Sequence, residues 1–225
     1  MREYSLTRSA RKTIGIYIRG GGVEVRAPFK APKREIDRFV ASKEKWITDK
    51  LAIQNERAEK REAFAVNYGG KVFLLGVQYP IVARDGRRAG FDGNVFFLPP
   101  GLAVEQIKAI CVKTYRLIAK PHLTGRARYY AADMPAAPSA IKITGALTRW
   151  GSCSAKKNIN FSWRLIMASN DIVDYVVVHE LAHLTEMNHS ARFWKIVGET
   201  LPDYQERRRR LREFQKRLSA EDWQV

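Results

Sequence analysis

The feature that most restricts this 225-residue chain is a pentad, His179-Glu180-Leu181-Ala182-His183. On an α-helix, residues four apart are rotated by only about 40° from one another, so both imidazoles face one point and can bind one Zn²⁺. Glu180 is rotated about 100° from His179, close enough to reach a water at that point without being forced to ligate the ion. With four His and 14 Glu in the chain, chance would produce this pattern about 0.004 times in such a sequence. The bland alternative, two packed core histidines beside a surface glutamate, therefore needs a coincidence.

A third histidine sharpens the pattern. His189 lies six residues beyond His183, about 600° along a continued helix and so on the wrong face; it can ligate only if the helix ends between them. Thr185 to Asn188 supplies that end, because Asn tolerates the left-handed conformation common past a helix C-terminus, and Ser190 can cap the next helix. Three of the four histidines thus fall within eleven residues, an arrangement that could make a His₃ site with an open position for water. The spacing from first to third histidine equals that of the metzincin motif. Glu186, however, stands where that motif uses Gly for its turn, and no downstream Met-turn is evident. Glu199 on the following helix is the alternative third ligand; His189 is preferred.

The remaining residues set the frame. A hydrophobic fraction of 45% with 28% charged residues is ordinary for a globular chain and excludes wholly disordered or collagen-like classes. Two cysteines, Cys111 and Cys153, offer no disulfide framework and point to a reducing compartment. The charged N-terminus lacks the apolar stretch of a secretory signal, and no apolar run approaches the roughly 18–20 residues that span a bilayer. A cytoplasmic protein without a membrane partner is expected. Both cysteines read as buried thiols, and His122 as an ordinary structural histidine.

Alternation in 4–25, broken by Gly20-Gly21-Gly22, reads as strand, turn, strand; helical spacing follows from Ile36 to Leu51 with a charged tail to Glu62. Strands are expected over Lys71–Leu75, Gln78–Ala83 and Asn94–Leu98, closed by Pro99-Pro100-Gly101. A helix from Val104 to about Arg128 carries Pro121 as a break or kink. Two β-like stretches, Ile141–Trp150 and Asn158–Trp163, precede the pentad helix, which starts at Asn170 or Asp171, and two more helices follow, Ser190 to about Leu201 and Asp203 to about Leu218. The order is irregular and favours an α+β class with a break near residue 100. That gives a β-rich region with one helix over 1–100 and a domain carrying the pentad over 101–225.

The run Tyr175-Val-Val-Val-His-Glu-Leu-Ala-His-Leu184, followed by Asn188-His189-Ser190 and Phe193-Trp194, resembles the YgjP-like group of the SprT/WLM-type zinc metallopeptidases. Upstream Arg149-Trp150-Gly151-Ser152-Cys153-Ser154 and Asn158-Ile159-Asn160-Phe161, and downstream Leu201-Pro202-Asp203-Tyr204, match the same group. The resemblance implies a minimal zincin core, an active-site helix beside a small β-sheet, cleaving peptide bonds. It implies His179, His183 and His189 as ligands of one Zn²⁺ per chain and Glu180 as catalytic acid/base. Arg149 and Tyr204 are candidate stabilisers of the developing oxyanion by residue type, and Trp150 and Ser152 are candidate cleft residues. An edge strand at Arg149–Ser154 would suit an extended peptide substrate.

Charge separates the remaining functional classes. The net +17 is uneven: residues 101–170 carry 11 basic and 2 acidic side chains, whereas 171–200 carry 2 and 5. Arg207-Arg208-Arg209-Arg210 lies among Glu206 and Glu213 and reads as a solvated helix face. One alternative is a nucleic-acid-associated protease of SprT type, recruited to DNA or RNA by its basic surface; another is a non-catalytic zinc-binding interaction module. An intact Glu180 argues against the second, since structural zinc needs no adjacent base.

Overall fold

The computed structural model describes residues 2–135 and 137–225. The chain forms two compact units: one runs to Phe64 and includes Ser219–Asp222, the other comprises Ala65–Leu218 and Trp223–Val225.

In the first unit, strands β1 (Ser5–Ser9), β2 (Gly15–Arg19) and β3 (Gly22–Pro28) form a sheet in the order β1-β3-β2. β2 and β3 make an antiparallel hairpin. Its turn needs two residues at positive φ, and Gly20 (φ 55°) and Gly21 (φ 75°) supply them. Val23, Val25 and Ala27 point to one side of β3 and bury against Ile36 and Val40 of helix α1 (Lys33–Ser42) and Ile47 of helix α2 (Glu44–Glu62). Beyond Leu51, α2 buries nothing, as its run of charges foretells.

The second unit is α+β and holds the pentad. A four-stranded sheet of β4 (Lys71–Leu74), β5 (Val77–Ala83), β6 (Gly90–Phe91) and β7 (Phe96–Leu98) has the order β4-β5-β7-β6. It packs on the long helix α3 (Val104–Ala131) through an aromatic cluster: Phe96 and Tyr115 lie 5.2 Å apart, and Tyr115 stacks on Trp163 at 5.6 Å. The Tyr115 hydroxyl also donates to the Phe73 carbonyl at 2.7 Å. These contacts tie the strands of residues 71–98 to α3, so the division between compact units falls at Phe64–Ala65 and not at the Pro99-Pro100-Gly101 punctuation.

Helix α3 is not interrupted at Pro121. Proline removes the hydrogen bond to the carbonyl four residues back, that of Leu117, and Leu117 is exposed, so water can serve that carbonyl. The opposite face, with Cys111, Tyr115, Ala119, Leu123 and Ala127 all buried, holds the helix together across the gap.

A second sheet, with β8 (Ala140–Thr144), β9 (Gly151–Cys153) and β10 (Asn158–Ser162), has β10 in the centre, parallel to β8 and antiparallel to β9. After a 3₁₀ turn at Trp163–Met167 come α4 (Asn170–Ala182), α5 (Ala191–Thr200) and α6 (Tyr204–Leu218). Every residue of α4 from Ile172 to Val178 is buried, because α3, α5, α6 and β9 cover it from all sides. Its N-cap is Ser169, one residue ahead of the Asn170 or Asp171 expected from sequence, with Asp171 in the first turn opposing the helix dipole.

Candidate metal centre

Helix α4 carries His179 and Glu180 on its last turn and ends at Ala182, leaving His183 at the C-cap. The amides of Thr185 and Glu186 both bond the Ala182 carbonyl, at 3.1 and 3.0 Å, so the chain curls tightly there. His183 contributes to its own turn: Nδ1 lies 3.0 Å from the Glu186 carbonyl and can only donate to it, which leaves Nε2 with a free lone pair. The left-handed residue expected at Asn188 is not used. Among the described non-glycine residues only Leu75 and Lys157 have positive φ. Glu186 therefore occupies its turn without strain, and no glycine is needed where the metzincin motif has one.

Ser190 then caps α5, its hydroxyl accepting from the Phe193 amide at 3.3 Å. This reversal returns His189 to the pentad, with its Nε2 3.1 Å from His179 Nε2. One ligand atom from each of His179, His183 and His189 lies within 4.8 Å of the others. Beneath all three sits the ring of Phe193, fully buried, with centroids 4.9, 4.5 and 4.7 Å from the three imidazoles. Trp194 flanks His189 and His179 at 5.8 and 6.1 Å.

These residues fit a metal. Burial, reinforced by repulsion from His183, His189 and Arg208, pushes the His179 imidazole down to about 3, which favours its neutral form, the form a metal would need. Two imidazole nitrogens 3.1 Å apart need a cation or a proton between their lone pairs. His179 Nδ1, on the side of the ring away from that Nε2, is buried without a hydrogen-bond partner. Glu199, the alternative ligand, is exposed on α5 and pairs with Lys195 at 3.8 Å, outside the triad.

Glu180 is 6% exposed and lies directly over Gly151. A Cβ added at residue 151 would meet Glu180 Cγ at 2.5 Å, Oε1 at 2.6 Å and Cδ at 2.7 Å. Gly151, at the start of β9, is thus the seat of the carboxylate. Burial raises the Glu180 carboxyl to about 7, with Arg149 pulling in the opposite direction. Arg149 itself is exposed just before β9. Trp150 packs on Phe214 of α6 at 5.0 Å, and the Ser152 hydroxyl accepts from Asn160 Nδ2 at 3.2 Å across the β9–β10 pair. Tyr204 stacks on Trp194 at 5.4 Å and closes over Gly198. Cys153 is half-buried near Glu180, and Cys111 is fully buried. His122 bonds Asn170 at 3.1 Å on the other end of α4.

Sequence reasoning missed what holds α4 in place. Asp174 accepts two bonds from Arg126 of α3, at 2.6 and 2.9 Å, and lies 3.8 Å from Arg207 of α6. The signal was present: Asp174 is the one charge inside the apolar run 172–178, and a charge there has to be paired.

A family model described as YgjP-like, metallopeptidase domain, matches residues 12–214. The chain belongs to the YgjP-like metallopeptidase family. It is thus a peptide-bond hydrolase that uses a metal, and the match extends through both compact units. Two solved structures are similar to part of it. The metallopeptidase zymogen of Pyrococcus abyssi abylysin is 20% identical, with 40% of this chain and 90% of that chain covered at a TM-score of 0.37. That of Methanocaldococcus jannaschii jannalysin is 15% identical, with 40% and 94% covered at 0.35. No curated protein matches the chain. No helix among the described residues is long and apolar enough to cross a membrane.

Proposed function

We propose that the chain is a zinc-dependent peptidase in which His179, His183 and His189 hold one Zn²⁺ and Glu180 is the general base. One observation carries the reading: three imidazole ligand atoms converge within 4.8 Å beside a buried carboxylate seated on Gly151. Three imidazoles with a fourth position open are a donor set of catalytic zinc. When bound, the ion would supply a Lewis acid for the scissile carbonyl and lower the pKa of water. Glu180 takes a proton from the attacking water and later returns it to the leaving amine, so the carboxylate is regenerated as the peptide bond breaks.

Among the described residues β9 has a strand neighbour on one side only, and its other edge offers backbone hydrogen bonds to an extended substrate alongside Trp150 and Ser152. Arg149, whose charge already acts on Glu180, is the first group proposed to meet the developing oxyanion, and Tyr204 beside Trp194 the second. The two free thiols fit a reducing cytoplasm. The basic excess of residues 101–170 supports a second partner class, nucleic acid held by backbone attraction; no binding even at low salt would exclude it.

Metal analysis combined with proteolysis of an unfolded protein by wild type and Glu180→Gln tests the main reading. The expected result is about one zinc in each and cleavage by wild type alone. Full metal loading with the same null activity in both would overturn it.

A further inference from the structure

The basic run on α6 is not uniform. Arg207 pairs with Asp203 at 2.8 Å, Arg209 with Glu206 at 2.5 Å and Glu213 at 3.1 Å, and Arg210 with Asp171 at 2.6 Å. Arg208 and Arg212 are exposed and have no carboxylate partner among the described residues. They are four residues apart, on one face of the helix. The Arg208 guanidinium lies 5.0 Å over the Trp194 ring, which in turn lies 5.8 Å from His189 and 6.1 Å from His179. Both guanidinia also act on the buried Tyr175 hydroxyl, opposing the effect of burial, and the Tyr175 ring is 5.9 Å from His179.

Two unneutralised cations one turn apart beside a cation site repel each other and the ion. Carboxylates accompany Arg207, Arg209 and Arg210, and among the described residues none accompanies these two. A guanidinium over an aromatic ring keeps its N–H donors free at its edge, and such donors can bind a carboxylate in two bonds.

We propose that Arg208 and Arg212 form a recognition rim for acidic side chains, so that the enzyme selects peptides carrying Asp or Glu beside the scissile bond. The proposal rests on the peptidase reading above, which places a peptide at the triad. It favours a peptide over a nucleic acid because Arg208 stands beside the histidines through Trp194, where that reading places the scissile bond.

The test compares three fluorogenic peptides that differ only in having Glu, Gln or Lys beside the cleaved bond. For wild type the ratio of kcat/KM for the Glu peptide over the Gln peptide should be about tenfold, since two exposed charge pairs contribute up to about that factor together. It should shrink as salt rises from 0.05 to 0.5 M. In the double variant Arg208→Gln/Arg212→Gln the ratio should fall toward one. The control Arg209→Gln/Arg210→Gln removes the same net charge from arginines paired elsewhere and should keep it. A wild-type ratio near one, or equal loss in both double variants, would overturn the proposal while leaving the peptidase reading intact.

A second measurement does not depend on turnover: anisotropy of the same peptides on zinc-loaded Glu180→Gln, with and without the Arg208/Arg212 changes. Tighter binding of the Glu peptide that vanishes with the two arginines supports the rim even if no peptide is cleaved, in which case only the catalytic reading fails. Displacement of that peptide by a short single-stranded DNA that binds more tightly and with the same arginine dependence would assign the rim to phosphates and overturn the proposal.

Discussion

Gly151→Ala tests the contact that seats the proposed base. Its methyl group would sit 2.5–2.7 Å from Cγ, Oε1 and Cδ of Glu180, whereas non-bonded carbons settle at about 3.5–4.0 Å. The shortfall is about 1 Å. Gly151 has no positive φ, so alanine adds no backbone strain and the clash is the whole effect. The carboxylate is 6% exposed inside a packed helix, so the relief is a displaced Glu180 at a cost of about 1–3 kcal/mol of stability. A reacting group misplaced by about 1 Å loses about 100-fold in rate. The assay is kcat on an unfolded protein substrate with metal content measured on the same sample. Activity should fall about 100-fold with metal content unchanged, because Gly151 touches none of the histidines' ligand atoms. Gly125→Ala is the control: Gly125 lies within α3 with nothing within 4 Å of its added methyl, so it should be fully active and about 0.5–1 kcal/mol more stable. Gly151→Ala with activity within about threefold of wild type would refute the seating argument.

Phe193→Leu removes the ring beneath the three imidazoles while filling most of its volume, and zinc affinity measured against a chelating indicator should weaken about tenfold. Asp174→Asn leaves Arg126 without its two charged bonds. Because that arginine side chain is 31% exposed, the expected loss is about 1–3 kcal/mol in urea unfolding, less than for a fully buried pair, and an unchanged midpoint would refute the clamp. Burial pushes the Cys111 thiol up to about 12, so an alkylating agent at pH 8 should leave it unmodified in the native protein and modify it on unfolding.

Much of the site was legible because its chemistry is local. The pentad shares one helix, and helical rotation alone aims His179 and His183 at one point. Ser190 signalled the start of α5, which is why His189 could be enlisted despite lying on the wrong face of a continued helix. The turn between them was read by the wrong device: Asn188 stays out of the left-handed region, and the His183 imidazole holds the Glu186 carbonyl instead. That bond depends on a side chain folding back on its own loop, which no spacing encodes.

The α+β class, the alternation of β-rich and helical stretches and the charged tail of α2 also follow from periodicity and turn residues, whereas the stretch before Gly20 divides into β1 and β2, and β6 was not expected. Pro121 was misleading because its penalty depends on surroundings: one face of α3 is exposed at Leu117 and the other is locked by the core, so the helix runs on. The sequence by itself determined which residues are proposed as ligands and base, and the helix that carries His179 and Glu180, since these depend on neighbours within a few turns. Only the tertiary structure decided that Gly151 seats Glu180, that Phe193 supports three histidines at once, that Asp174 binds α3 to α4 and which arginines of α6 are left unpaired. These depend on which distant segments meet, and that is set by burying the apolar surface of the whole second unit.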